Sequence, residues 1–278
     1  MLFKNGLALF IFLILILGFS GCGKKEAEQE GESAEQPVKE SVVPGEMVLI
    51  PAGEYTIGTN AAKDSDAYPE RKVKLPAFWI DKYEVTNFEF QGFSIEARYA
   101  GEGVKEGKDW RIFVTQDKAL FPIQYITWKD AEAYCKHKGK RLPTEEEWEA
   151  AARGPEGLAY PWGNEWADNR SNTAESGPLK PVAVGEYDDV TKFGVHDMLG
   201  NVREWTSSWW TLYPGNPKKD PHSGKKSHIV LRGLSPNHRG KMAKLWDRSG
   251  IIPAFVGDVG CRCAKDATSD DVSKAQGK

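Results

Sequence analysis

The side chains able to do chemistry crowd into the last part of the chain, between Ser235 and Cys263. Ser235, His238 and Asp247 have the types of a hydrolytic nucleophile, base and orienting acid, with Arg248 beside them as a cation. Closeness in sequence is not triad geometry, because such sets are defined by hydrogen bonds in space. Cys261 and Cys263 lie two apart, and on an extended strand that spacing puts both on one side. A shared soft metal or a redox pair is possible in principle, but C-x-C alone is a weak signal. His137, His196, His222 and His228 are scattered without metal-ligand spacing, and a lone histidine is more often structural. No Walker loop, H-E-x-x-H or C-x-x-C is present. From Asp197 to Glu204 a loop rich in oxygen ligands suits a hard cation such as calcium, which takes carboxylates and backbone carbonyls in flexible geometry. The alternative is a set of Asx-turns and side-chain hydrogen bonds without metal.

The elements that must position these groups are most legible from Phe121 to Gly154. Thr127 caps a first helix with Asp130 three residues on, and Gly139 supplies a left-handed stop. Ala131, Tyr134 and Cys135 give its buried face. Thr144 and Glu147 form a capping box on a second helix, with Glu145, Glu146 and Glu147 in the dipole-favoured first turn. Trp148, Ala151 and Ala152 make its apolar stripe, and Gly154 ends it. Upstream, Thr86 and Glu89 form another capping box, with Phe90 and Phe93 anchoring a short helix. MVLIPAGEYTIGT reads as a β-hairpin with Gly53 in its turn, and Val73 to Ile80 as further strand. Residues 96–118 are polar and irregular. Trp205, Trp209 and Trp210 read as core, and Tyr213 to Gly224 as a surface loop.

The chain of 278 residues, 40% hydrophobic with ten tryptophans, holds a sizeable core, while 16 prolines and 28 glycines point to much ordered loop. The net charge of −3 gives no electrostatic reason to expect nucleic acid. Residues 1–22 read as a signal segment: Lys4 is the positive flank, LALFIFLILILGF the apolar run, and Phe19-Ser20-Gly21-Cys22 resembles a lipobox. Acylation of Cys22 would anchor the chain in a lipid bilayer. Residues 23–45 carry six glutamates and no aromatic, leucine or isoleucine, the composition of a disordered tether. The globular domain spans 46–264, and 265–278 lack an apolar period and read as a disordered tail. The expected location is the bacterial envelope outside the cytoplasm; Gly23 after the lipid cysteine resembles an outer-membrane sorting signal, with the domain facing the periplasm if there are two membranes.

The wording of several segments is specific. The run SW-x-DA-x-AYC…GKRLPTE-x-EWE-x-AARG, here with Thr127 for the serine, resembles the formylglycine-generating enzyme (sulfatase-modifying factor) family. M-V-x-I-P-A-G, P-W-G-N-E, G-x-x-DM-x-GNVWEW, R-G-G-S-W and G-F-R-C-A are matched in turn at residues 47–53, 161–165, 194–205, 232–236 and 260–264. Arg203 replaces the usual tryptophan, Cys261 the usual phenylalanine, and Arg71 or a neighbour the usual histidine. The resemblance implies an α+β, C-type-lectin-like fold with few helices and a disulfide between Cys135 and Cys263, which an extracytoplasmic location permits. Cys261 is then a single, buried, inert thiol. The resemblance also implies one calcium held by Asp197, the carbonyls of Gly200 and Val202, and Glu204. A second would use Asn172 and the carbonyl of Thr173, with Glu175 a candidate in a segment that is shortened here.

Active members carry two cysteines beyond the R-G-G-S strand that bind copper as thiolates. At those positions this chain has His238 and Ala243, and thiolates are what select copper(I). Copper is therefore not expected, and Ser235, His238 and Arg248 remain only as cleft candidates. The reading is a non-catalytic member binding a peptide, glycan or envelope protein in the former active-site cleft. The alternative is an oxidase or monooxygenase with non-standard metal ligands.

Overall fold

The computed structural model describes residues 41–221, 225–255 and 257–276. Cys22, the signal segment and the tether to residue 40 lie outside them, as does His222. The capping boxes read from the sequence all form. Helices α1 (Asn87–Glu96), α2 (Trp128–His137) and α3 (Glu145–Arg153) each start on a threonine that accepts from the third residue's N–H while that residue's carboxylate accepts from the cap. The pairs are Thr86 with Glu89, Thr127 with Asp130 and Thr144 with Glu147. Gly139 and Gly154 take φ of +68° and +66°, where a side chain would be strained. The predicted faces of α2 and α3 are buried, and Phe90 and Phe93 anchor α1.

Among the described residues, nine strands form three small sheets. β1 (Met47–Ile50), β4 (Phe78–Asp81) and β9 (Ala264–Asp266) make one antiparallel sheet, and β2 (Gly53–Ile57) with β3 (Arg71–Leu75) a second. In the third, β5 (Arg203–Trp209) lies between β6 (Ile229–Arg232) and β8 (Val259–Gly260), with β7 (Ser249–Ile251) on the outer side of β6. β5 runs antiparallel to β6 and parallel to β8, pairing Glu204 with Arg232 and Arg203 with Val259. That register gathers the start of β5, the end of β6 and the approach to β8 into one place. Residues 96–118 contain three 3-10 turns, of which the second, Trp110–Phe113, buries Trp110. Trp205 and Trp210 are buried as read. Tyr213, read as the start of a surface loop, is buried between the guanidinium groups of Arg71 and Arg248, 4.5 and 4.3 Å from its ring centre.

Two readings are corrected. The expected hairpin does not form: β1 and β2 join different sheets, because β1 is claimed by β4 and β2 by β3. The tail is not structureless either. Lys265 and Asp266 extend β9 against β4, and residues Ser269–Gln276 form helix α4. Asp271 accepts from Thr268 N–H at 2.8 Å, a cap of the kind seen on the other helices. A ladder to a strand nearly two hundred residues earlier leaves no local apolar period to read.

Cys135 on α2 is joined by a disulfide to Cys263 across 128 residues of sequence. Cys261 is a free, buried thiol. Among the described residues no helix is long and apolar enough to cross a membrane.

Candidate functional site

Past β6 the chain turns at Gly233, where φ is +71°, and delivers Ser235 beneath the surface. Ser235 Oγ lies 2.7 Å from His238 Nδ1, and the His238 ring is exposed. Nearby, Arg203 Nη2 contacts Asp258 at 2.5 Å. Burial alone would raise the Asp258 carboxyl. The Ser235 hydroxyl close by and the Arg203 contact and charge outweigh burial and hold it below the usual carboxylate range. Asp247 takes no part, since its carboxylate accepts from Lys244 N–H. A fully buried hydroxyl paired with an exposed imidazole that Asp247 does not orient is not a nucleophile arrangement.

Arg248 is brought elsewhere. It donates to both oxygens of Glu145 at 2.9 and 2.8 Å and to the Thr211 carbonyl at 2.7 Å, away from the Ser235–His238 pair. It is a buried strut of the fold. Ala243 is half-buried against the core around Trp148. Burial, then the neighbouring carboxylates of Asp81, Glu204 and Glu89, pushes the Cys261 thiol well up, away from the thiolate that metal binding or nucleophilic attack needs.

Beside the Ser235–His238 pair opens a cleft of about 420 Å³ whose wall includes Asn87, Phe113, Phe121, Gln124, Asn237 and Asp258. Asn87 Nδ2 donates to the carbonyls of Lys118 at 3.0 Å and Phe113 at 3.4 Å, which fixes the other end of the amide as oxygen. That Oδ1 is buried without a partner among the described residues.

The sulfatase-modifying factor enzyme 1-like domain family matches residues 31–267 of the chain. The chain belongs to this family. It is 32% identical to the inactive C-alpha-formylglycine-generating enzyme 2 of Bos taurus, over 80% of this chain and 88% of that one. It is 30% identical to the formylglycine-generating enzyme of the same organism, over 90% and 86%. The structure of PvdO from Pseudomonas aeruginosa superposes with a TM-score of 0.63 at 24% identity, covering 80% of this chain and 94% of that one. The fold is thus the α+β, C-type-lectin-like arrangement of formylglycine-generating enzymes. Sulfatase-modifying factor relatives include both active and inactive proteins, so membership leaves catalysis to be decided at the site.

The calcium residues that the family implies lie in and beside a buried acidic cluster. Glu84, Asp189, Asp197 and Glu204 are all buried near one cation, Arg262. Burial, then repulsion from Asp197 and Glu204, pushes the Glu84 carboxyl well above its usual range; burial and Asp197 do the same to Asp189. Glu204, however, accepts from Arg262 Nε and Nη2 at 2.8 Å through both oxygens, and from Trp148 Nε1 at 2.8 Å. A guanidinium facing both oxygens repels a second cation, so Glu204 does not fit as a calcium ligand in this arrangement. Asp197 accepts from Gly185 N–H at 2.7 Å. Among the described residues no three His, Cys, Asp or Glu side chains converge as a metal site. The second set has a feature that does fit. Asn172 Oδ1 is buried with no partner among the described residues, and a carbonyl-type oxygen is a ligand calcium takes. Gly200 lies against this residue so closely that a Cβ would come within 2.5 Å of the Asn172 carbonyl oxygen.

Sequence reading missed Asn87, Asp258 and Glu84 as site residues. Asn87 was hidden behind its cap neighbour Thr86, and neither carboxylate carries a local pattern. Replacing Glu204 with Gln strands the Arg262 charge in the core. Urea unfolding of Glu204→Gln should show a loss of about 3–5 kcal/mol, the usual result of breaking a buried pair from one side. An unchanged midpoint would refute the role given to this pair.

Proposed function

We propose that the protein is a lipid-anchored, non-catalytic member of the family that holds an extended peptide in the cleft beside Ser235 and His238. The observation that carries this is the state of the former reaction centre. Its two thiolate positions are His238, tied to Ser235, and Ala243, packed on the core, while the free thiol Cys261 is buried and held protonated. Soft thiolates are what select copper(I), and none faces the cleft among the described residues. The cleft wall carries aromatic surfaces (Phe113, Phe121) and amide groups (Gln124, Asn237), which suit the side chains and backbone amides of a peptide.

The test is peptide-library capture followed by fluorescence anisotropy on a selected peptide. Phe113→Ala should weaken binding at least tenfold, and a cysteine peptide incubated with copper(I) in air should keep its mass. Conversion of that peptide to formylglycine would establish the oxidase reading instead. Selection of a glycan or a folded envelope protein, and no peptide, would reassign the ligand.

Anchoring is proposed through acylated Cys22, motivated by the apolar run and lipobox-like ending. Cys22→Ala should leave a full-length precursor without palmitate; equal labelling of both forms would refute the anchor.

A structural calcium is proposed at the Asn172–Thr173 end of the acidic cluster. EGTA should lower the wild-type melting temperature and leave Asn172→Ala unmoved, since a ligand at a hundredfold its dissociation constant adds about 2.7 kcal/mol. Equal responses would remove the site.

A further inference from the structure

Helix α1 is apolar on two sides, and only one of them is covered. Phe90 and Phe93 are buried against Trp110 and Tyr134. On the outer side Phe88 and Ile95, two turns apart on one stripe, are 63% and 72% exposed. Gly92 lies between them, with open space where a side chain would stand. A surface helix ordinarily turns polar groups to water on this side. Beside the stripe a groove of about 430 Å³ is lined by Phe88 and Gly92, by Pro44 and Gly45, and by Lys138 and Lys140 just past α2. The described chain begins at residue 41, so the covalent path toward Cys22 leaves the domain at this groove, where Val43 is 53% exposed. Basic groups border the stripe. His137 Nε2 and Lys138 Nζ reach Glu96 at 3.0 and 3.4 Å, which sets the end of α2 beside the end of α1. Lys136 on the last turn of α2 and Arg98 just beyond α1 are exposed and meet no carboxylate among the described residues. The two acids that line the groove are engaged, Glu89 by the Thr86 cap and Glu96 by His137 and Lys138.

We infer that this face, Phe88 and Ile95 with the basic end of α2, rests on a phospholipid bilayer that carries anionic headgroups. The inference rests on the anchoring through Cys22 proposed above and adds which side of the domain the membrane meets. Residues 23–40 span no more than about 65 Å even when fully extended, so an acylated Cys22 keeps the domain near the bilayer. The face at the root of that segment is the one brought to it. Phenylalanine and isoleucine enter the boundary between headgroups and acyl chains, while the lysine and arginine heads stay with the phosphates. Each cation near an anionic surface adds to the attraction. One partner thus covers the apolar stripe and matches the charge beside it.

The test uses the full acylated chain in vesicles of phosphatidylethanolamine and phosphatidylglycerol. A nitroxide on Ile95→Cys should collide with oxygen more often than with a water-soluble nickel chelate, at a depth of about 5–10 Å into the headgroup boundary. A nitroxide on Met242→Cys, at a side chain 76% exposed on the loop after β6, should read as aqueous. Phe88→Asp should return the Ile95 label to water with an unchanged melting temperature, since an acid suits the first turn of a helix. Replacing phosphatidylglycerol with phosphatidylcholine should also draw the label toward water. An Ile95 label as aqueous as the one on Met242, on a chain that floats with the vesicles, overturns the inference and leaves the anchor standing. A label shielded from both reagents means that protein covers the face, which overturns it as well. Equal depth on neutral and anionic vesicles removes the part given to the basic residues. A chain that does not float with the vesicles removes the anchor and this inference with it.

Discussion

The pairing of Glu204 with Arg262 is the contact on which the arrangement of this fold depends. Arg262 is fully buried and reaches three separate pieces of chain. It meets Glu204 at the start of β5, the carbonyls of Asp81 and Lys82 after β4, and the carbonyl of His196 in the acidic loop. A buried guanidinium is tolerable only when its donors are met, and here carboxylate and carbonyl oxygens meet them. The same residue lies close to the Glu84, Asp189 and Asp197 carboxylates. Burial and mutual repulsion raise the Glu84 and Asp189 carboxyls even with that cation beside them.

The theme repeats around α3. Its three first-turn glutamates are each held by an arginine from a different part of the chain: Glu145 by Arg248, Glu146 by Arg71 and Glu147 by Arg141. One turn on, the buried Glu149 binds both Arg153 and Arg232 at 2.5 Å. Small sheets and long loops bury little continuous apolar surface apiece. Directional charge-assisted bonds between distant segments supply the register that a single large sheet would otherwise impose. This explains why Arg248, a candidate for the cleft by sequence, is a strut: its partners at Glu145 and Thr211 hold it in the framework.

The corner around Ser235 and His238 shows how the sheet register assembles a site. The register that sets Arg203 beside Val259 and Glu204 beside Arg232 would assemble this corner with any side chains at positions 203, 235, 238 and 258. The residues present pair Arg203 with Asp258 and Ser235 with the His238 imidazole. Cys261, the free thiol among the described residues, is buried, which favours its protonated form.

The sequence by itself determined what local chemistry can write. Caps at Thr86, Thr127 and Thr144, left-handed stops at Gly139 and Gly154, and the buried faces of α2 and α3 follow from side chains within a few residues of each other. The motif wording added the family and, with it, the fold class. The tertiary structure decided everything that depends on partners far apart in the chain. It sent β1 and β2 to different sheets, ordered the tail by pairing β9 with β4, and took Arg248 away from Ser235. It also set Asp258 and Asn87 at the cleft and gave Glu204 to Arg262. Hydrogen bonds and ion pairs are short-ranged and directional, so their partners are chosen only once packing has fixed which backbones lie within about 3 Å of each other.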